Sequence, residues 1–321
     1  MKALVHHAGA RGELRVEERP IPQARPGEIV LRVLACGVCR TDLHIVDEEL
    51  PPRHERIVPG HQIVGERADT GELVGVSWLG GTDGTCAYCR SGRENLCDAP
   101  VFTGYDRDGG FAEYVAVRED FTVPIPPQMT PKQAAPLLCA GIIGFRALRV
   151  AGVQPGERVG LYGFGASAHL AVQVLRSWDC EVYVATRGAS HRALAAELGA
   201  AWVGEAMDPP PLELDRAVTF APSGDVVVAA LAALRKGGVV AINAIHLDHM
   251  PQFDYDRLLW GERQLRSVTN MTRADARDFI ALAAQMPIRA RVRSFSLEDG
   301  AQGIAAVRED RVDGAAVLFP R

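Results

Sequence analysis

The chain has 321 residues, 47% of them hydrophobic and 23% charged; this is enough apolar material for two domain cores and excludes a disordered or fibrous chain. A net charge of -5 excludes a broad basic surface for nucleic acid, and no apolar run is long enough to cross a bilayer. Seven cysteines, an odd number, fall mostly in two clusters between Cys36 and Cys97, which suits metal binding in a reducing cytoplasm better than a disulfide framework.

The opening stretch, MKALVHHAGARGELRVEERP, has no apolar core and is expected to be a mature start rather than a secretory leader. Up to about residue 130 the pattern is one of short strands broken by Pro and Gly, such as KALV at 2–5, EIVLRVLACGV at 28–38 and GFAEYVAV at 110–117. Thr130 followed by Pro131 predicts the N-cap and first position of a long apolar helix. From Gly156 strands and helices alternate. ERVGLYGFG leads into ASAHLAVQVLRSW, EVYVAT into SHRALAAELG, and DRAVTFAP into DVVVAALAALRKGG and VVAINAI, with LRSVTNMT as the last strand. A helix at 273–286 and strands near 291–296 and 314–318 close the chain. The alternation implies an α/β fold with a doubly wound parallel sheet over 141–269. Residues 1–140 and 270–321 then form a second, β-rich domain, with a lobe at about 80–100.

Gly163, Gly165 and Ala168 fit G-x-G-x-x-G/A between a strand and a helix, the setting in which backbone N–H groups and a helix N-terminus hold a pyrophosphate. A Rossmann domain binding a dinucleotide follows. The next strand ends Thr186-Arg187, without the Asp or Glu that usually takes the ribose hydroxyls of NAD. A missing carboxylate removes repulsion toward a 2′-phosphate and Arg187 offers it a planar cation, with help from Arg192, so NADP(H) is favoured over NAD(H).

Two further groups carry metal-ligand chemistry. Cys36 or Cys39, with His61 and Cys139, would give two thiolates and an imidazole, as zinc with an open fourth position prefers, but spacing alone cannot connect them. Taken singly, a buried cysteine is ordinary core, and Cys36-x-x-Cys39 has the spacing of a redox pair. Asp83, Cys86, Cys89 and Cys97 form a tighter cluster in which one carboxylate joins three thiols.

CGVCRTDLH, PGHQIVG, GGFAEY, APLLCAG and LYGFGASAH, in this order, resemble the zinc-dependent medium-chain alcohol dehydrogenases over essentially the whole chain. The resemblance implies a GroES-like catalytic domain beside the Rossmann domain. It implies catalytic zinc on Cys39, His61 and Cys139, with Cys36 a non-ligand, and Asp42 supporting His61. It also implies a proton relay of Thr41 and His44, and Arg40 on the cofactor pyrophosphate. The family's lobe usually holds a structural zinc on four cysteines, and here Asp83 stands in the first position. Two more departures are Gln62, where the family has Glu beside the ligand histidine, and a short stretch between Gly65 and Gly75. Trp78, Phe102 and Ile245 are expected to line an apolar substrate pocket, with Leu79, His246 and Met271 near it. The expected reaction is reversible hydride transfer between a primary aliphatic or aromatic alcohol and a nicotinamide. A polyol or sugar dehydrogenase on the same fold, or a zinc and thiol redox sensor, are the alternatives. A homodimer or homotetramer is expected, paired through an edge strand near 267–272, with no nucleic-acid or membrane partner.

Overall fold

The computed structural model describes residues 1–286 and 288–320. The chain divides into two compact units, Met1–Ile142 with Asn270–Arg321, and Ile143–Thr269.

The first unit is built on a seven-stranded sheet whose central strand, Glu28–Val38, pairs antiparallel with Gln62–Arg67, Tyr114–Arg118 and Ala315–Phe319. Leu31 and Val33 and, past a register shift between Val33 and Ala35, Cys36 meet Ile63, Val76, Phe111 and Leu318 in one apolar core. The stretch 66–74 is a complete hairpin. Strands Gln62–Arg67 and Leu73–Val76 pair from Ile63↔Val76 to Glu66↔Leu73, and the turn closes through Gly71 at φ 77 and its N–H on the Arg67 carbonyl. The loop is short and the sheet around it is intact.

The second unit is a six-stranded, wholly parallel sheet in the order Trp202–Gly204, Glu181–Ala185, Arg158–Tyr162, Leu214–Thr219, Leu234–Ile242, Gln264–Ser267. Strand Arg158–Tyr162 lies where the order reverses, the switch point outside which such sheets bind ligands.

Three expected elements differ from the observed ones. The helix beginning at Pro131 is not continuous: Pro131–Ala134 passes into a 3-10 turn over Ala135–Leu138, and the chain leaves helical geometry at Cys139, with φ -134 and ψ -69, before Ala140–Ala151. Pro136 cannot donate an i→i−4 hydrogen bond, which favours the break. The helix read as 225–238 ends at Ala232, because Leu234 pairs with Leu214 and Gly237, at φ 73, sets a bulge before Val239 joins Arg216. The last parallel strand stops at Ser267 rather than near 272, since Asn270 is left-handed at φ 52 and Thr272 caps the helix Arg273–Gln285. Among the described residues no single helix is long and apolar enough to cross a membrane.

Candidate active site

Helix Arg40–Val46 starts directly after strand Glu28–Val38, with Cys39 as its N-cap residue. Asp42, fully buried, accepts the Cys39 N–H at 2.7 Å through Oδ2 and the Gly60 N–H at 3.1 Å through Oδ1. One carboxylate thereby pins the start of the helix to the segment carrying His61. The same Oδ1 lies 3.3 Å from His61 Nδ1, while His61 Nε2, equally buried, has no hydrogen-bond partner among the described residues. Gly60 must be glycine here: its φ is 95, and an added Cβ would meet the Phe111 ring at 2.4 Å and Cys36 Sγ at 2.9 Å.

Cys139, presented by the break in its helix, brings its sulfur to 3.9 Å from Cys39 Sγ. Two sulfurs bound at about 2.3 Å to one tetrahedral ion stand about 3.8 Å apart, so the pair already has the spacing zinc needs. Cys39, His61 and Cys139 each offer a ligand atom within 4.8 Å of the others. Their protons are arranged accordingly. The Cys139 thiol hydrogen-bonds to Cys39 and lowers the Cys39 pKa well below its usual value, His61 adding to the effect against burial. Cys139 is raised by that same bond and by burial. Burial opposes a charged His61, but Asp42 and Cys39 outweigh it and raise the ring to about 10. A buried imidazole with an unpartnered nitrogen beside two cysteine sulfurs is a donor set of the type that zinc prefers.

Thr41 and His44 sit three residues apart and so share a face of the helix. Thr41 is buried, with its hydroxyl 3.7 Å from Cys39 Sγ; His44 is partly exposed and hydrogen-bonded through Nδ1 to Glu49. Glu49 had no signal in the sequence pattern. Arg40 is exposed on the first turn, and Gln62 is buried at the start of its strand. Trp78 stacks on Phe102 with ring centroids 4.8 Å apart and meets the His61 ring edge-on at 5.0 Å. Tyr105, which sequence reading passed over, extends this stack at 6.1 Å and donates its hydroxyl to the Pro51 carbonyl. Ile245 belongs to the other unit and is 72% exposed, while Leu79 and Met271 are core residues. Cys36 is wholly buried, its pKa is pushed well up by that burial, and it lies outside the cluster that Cys39 joins.

The lobe leaves the sheet between the paired strands Leu79–Gly81 and Val101–Phe102. Across 82–100 only Glu94, Asn95 and Cys97 are buried, so it has almost no apolar core of its own. What it has is a cluster: Asp83, Cys86, Cys89 and Cys97 offer ligand atoms within 4.8 Å of one another, and all three thiols are free. Asp83 Oδ1 accepts the N–H groups of Thr85 and Cys86 at 2.7 and 2.9 Å, which leaves Oδ2 facing Cys97 Sγ at 3.3 Å. The N–H groups of Cys86 and Thr85 hold the Asp83 carboxyl well below the usual range. Backbone N–H groups also point at sulfur, from Cys89 to Cys86 at 3.5 Å and from Ala99 to Cys97 at 3.4 Å, an arrangement that favours bound thiolates. Burial pushes the metal-free Cys97 thiol up to about 11.

In the second unit Gly163 turns the chain at φ 90 after strand Arg158–Tyr162, Gly165 has open space where a Cβ would stand, and Ala168 is buried at the start of helix Ala168–Ser177. Thr186 is buried at the end of its strand and Arg187 is exposed, with no ion pair among the described residues. Arg192 is already engaged: it donates to Glu205 Oε1 at 2.7 Å and to the Thr186 carbonyl at 3.3 Å.

Residues 25–127 match the family described as "Alcohol dehydrogenase GroES-like domain". A relative from Mycobacterium tuberculosis, named "Probable alcohol dehydrogenase AdhA", is 46% identical over 93% of this chain and 90% of its own. An alcohol dehydrogenase of Geobacillus stearothermophilus is 31% identical over 95% and 96%. Among solved structures, the alcohol dehydrogenase of Aeropyrum pernix superposes with a TM-score of 0.86 at 26% identity, covering 100% of both chains. The chain belongs to the zinc-dependent medium-chain alcohol dehydrogenases.

Proposed function

We propose that this protein interconverts primary aliphatic or aromatic alcohols and their aldehydes, using NADP(H) in preference to NAD(H). The observation that carries the reading is the Cys39–His61–Cys139 cluster, in which His61 is wholly buried and both cysteines are half-buried, and whose 3.9 Å sulfur pair fits tetrahedral zinc. Bound zinc would supply a Lewis acid for the substrate oxygen, and a bound nicotinamide a hydride acceptor.

The chain's own residues do the rest. Cys39, His61 and Cys139 would hold the metal. Asp42 fixes the His61 ring so that Nε2, not Nδ1, is the ligand atom. The Thr41 hydroxyl takes the alcohol proton, and His44, partly exposed, delivers it to water. Gln62 keeps the size of a glutamate without its charge, so the metal site is retained while exchange at its open position is altered. Trp78 and Phe102 form a flat aromatic wall beside His61, which suits unbranched or aryl chains. The turn at Gly163, Gly165 and Ala168 takes the pyrophosphate. Arg187 takes the 2′-phosphate, and Thr186 places it at the strand end. Arg192 orients this corner through Glu205 rather than by direct contact. Asp83, Cys86, Cys89 and Cys97 hold a second, structural zinc. The edge strand Gln264–Ser267, near exposed Tyr255 and Trp260, is where a second copy would pair to give a dimer or tetramer. Free thiols at all seven cysteines fit a cytoplasmic location.

Benzyl alcohol with NADP or NAD, followed by absorbance of the reduced cofactor, tests this directly. Chelator-sensitive reduction with the higher kcat/KM for NADP is expected. A protein with full zinc content and no reduction of either cofactor would overturn the reading.

A further inference from the structure

Where strand Glu181–Ala185 ends, the parallel sheet gathers two arginines and one carboxylate. Ala185 pairs with Gly204 of the neighbouring strand, and the Thr186 N–H continues that ladder onto the Gly204 carbonyl at 3.1 Å. Parallel strands end on the same side of a sheet, so Glu205 stands beside Thr186-Arg187 although 18 residues separate it from Arg187. A turn holds Glu205 there: its N–H donates to Asp208 Oδ2 at 2.8 Å, and its carbonyl accepts the Asp208 N–H at 3.1 Å. Arg192 lies near the start of helix Ala189–Glu197, and its Nη1 donates to Glu205 Oε1 at 2.7 Å and to the Thr186 carbonyl at 3.3 Å. The Glu205 side chain is 59% exposed and that of Arg192 30%, so the pair is within reach of water. Of the two cations at this strand end one is neutralised, while Arg187 has no ion pair among the described residues. The acid missing from the end of strand Glu181–Ala185 stands instead at the end of its neighbour.

We propose that Glu205 is a specificity-determining residue that limits the preference for NADP(H). It holds the Arg192 guanidinium, so that Arg187 alone meets a 2′-phosphate, and its own charge opposes that phosphate. NAD(H) carries a hydroxyl at the same position and meets neither effect. The hold is a weak one, because an exposed ion pair contributes little. Without Glu205 the Arg192 guanidinium is available for a second planar contact with phosphate. The inference rests on the NADP(H) reading given above and sets its strength.

The test is calorimetric binding of 2′,5′-ADP and 5′-AMP, two probes that differ only in the 2′-phosphate, to the zinc-loaded protein. It compares the parent with Glu205→Gln, Arg192→Ala and the double variant Glu205→Gln/Arg192→Ala. Glu205→Gln should bind 2′,5′-ADP about fivefold more tightly than the parent, with 5′-AMP changed by less than about twofold. The ratio of kcat/KM for NADP to that for NAD, with benzyl alcohol, should rise by the same factor. Arg192→Ala should cost the parent little, since its guanidinium is already engaged, and should remove most of the gain in the double variant. If the parent prefers 2′,5′-ADP and Glu205→Gln gains nothing, or gains equally for both probes, the role of Glu205 is overturned and the NADP(H) reading stands. A full gain that survives in the double variant overturns the hold on Arg192. A parent that binds both probes equally, with the preference appearing only in Glu205→Gln, overturns the reading and supports the inference. Equal binding of both probes by the parent and by Glu205→Gln overturns both.

Discussion

His61 shows how single residues set the chemistry of the first unit. In the metal-free cluster two of three donors carry a proton at neutral pH: burial disfavours the charged ring, yet Asp42 and Cys39 lift His61 to about 10, and Cys139 is raised by the bond it gives Cys39. Zinc must displace both protons. Each group competes through its protonated form below its own pKa, so affinity at this site rises with pH across the neutral range and falls as pH drops. Competition titrations with a zinc chelator at about pH 6, 7 and 8 should give roughly a tenfold or greater gain in affinity per pH unit. A flat profile would mean that the donors are deprotonated before the metal arrives. Asp42 is the residue on which this depends, because its single carboxylate holds the Cys39 N–H, the Gly60 N–H and the flank of His61.

At the scale of elements, the lobe and the helix after Thr130 show what a linear reading conveys and what it leaves out. Motif order made the candidate ligand residues legible, because soft donors cluster in ways that few other functions require. The break at Cys139 was not legible: the run PKQAAPLLCAGIIGFRAL has helical apolar spacing throughout, and only packing decides that the chain turns aside at one residue to present a sulfur. Glu49 was invisible for a related reason, since its place depends on a left-handed residue before it. The lobe is the opposite case. With three buried residues between 82 and 100 and none of them a large apolar side chain, composition leaves the four candidate ligands as its organising feature. Asp83→Ala removes one candidate ligand and also the acceptor of two N–H groups. Metal analysis should fall from two zinc ions per chain to one, and trypsin should cut at Arg90 and Arg93 several-fold faster. Unchanged zinc content with unchanged cleavage would mean that the lobe is ordered without metal.

Across the whole molecule the two kinds of ligand chemistry are divided between the two units. All seven candidate metal donors lie in the unit formed by Met1–Ile142 and Asn270–Arg321, and the glycine turn lies in Ile143–Thr269. The parallel sheet was readable from sequence because buried strands such as RVGLY and EVYVA are continuous apolar runs separated by helices. The first unit gave only strand fragments, since its sheet joins segments as distant as Glu28–Val38 and Ala315–Phe319. A ligand stabilises the structure that binds it and not structure that does not. Hydrogen exchange should therefore separate the two chemistries. Chelation should speed exchange around 36–44, 60–67, 82–100 and 135–140 and leave 158–185 nearly unchanged. NADP added to the metal-free protein should protect 163–170 while the four metal-linked segments stay fast. Equal acceleration of 158–185 on chelation would show that the metal sustains the parallel sheet as well, and that the division of ligands is not a division of stability.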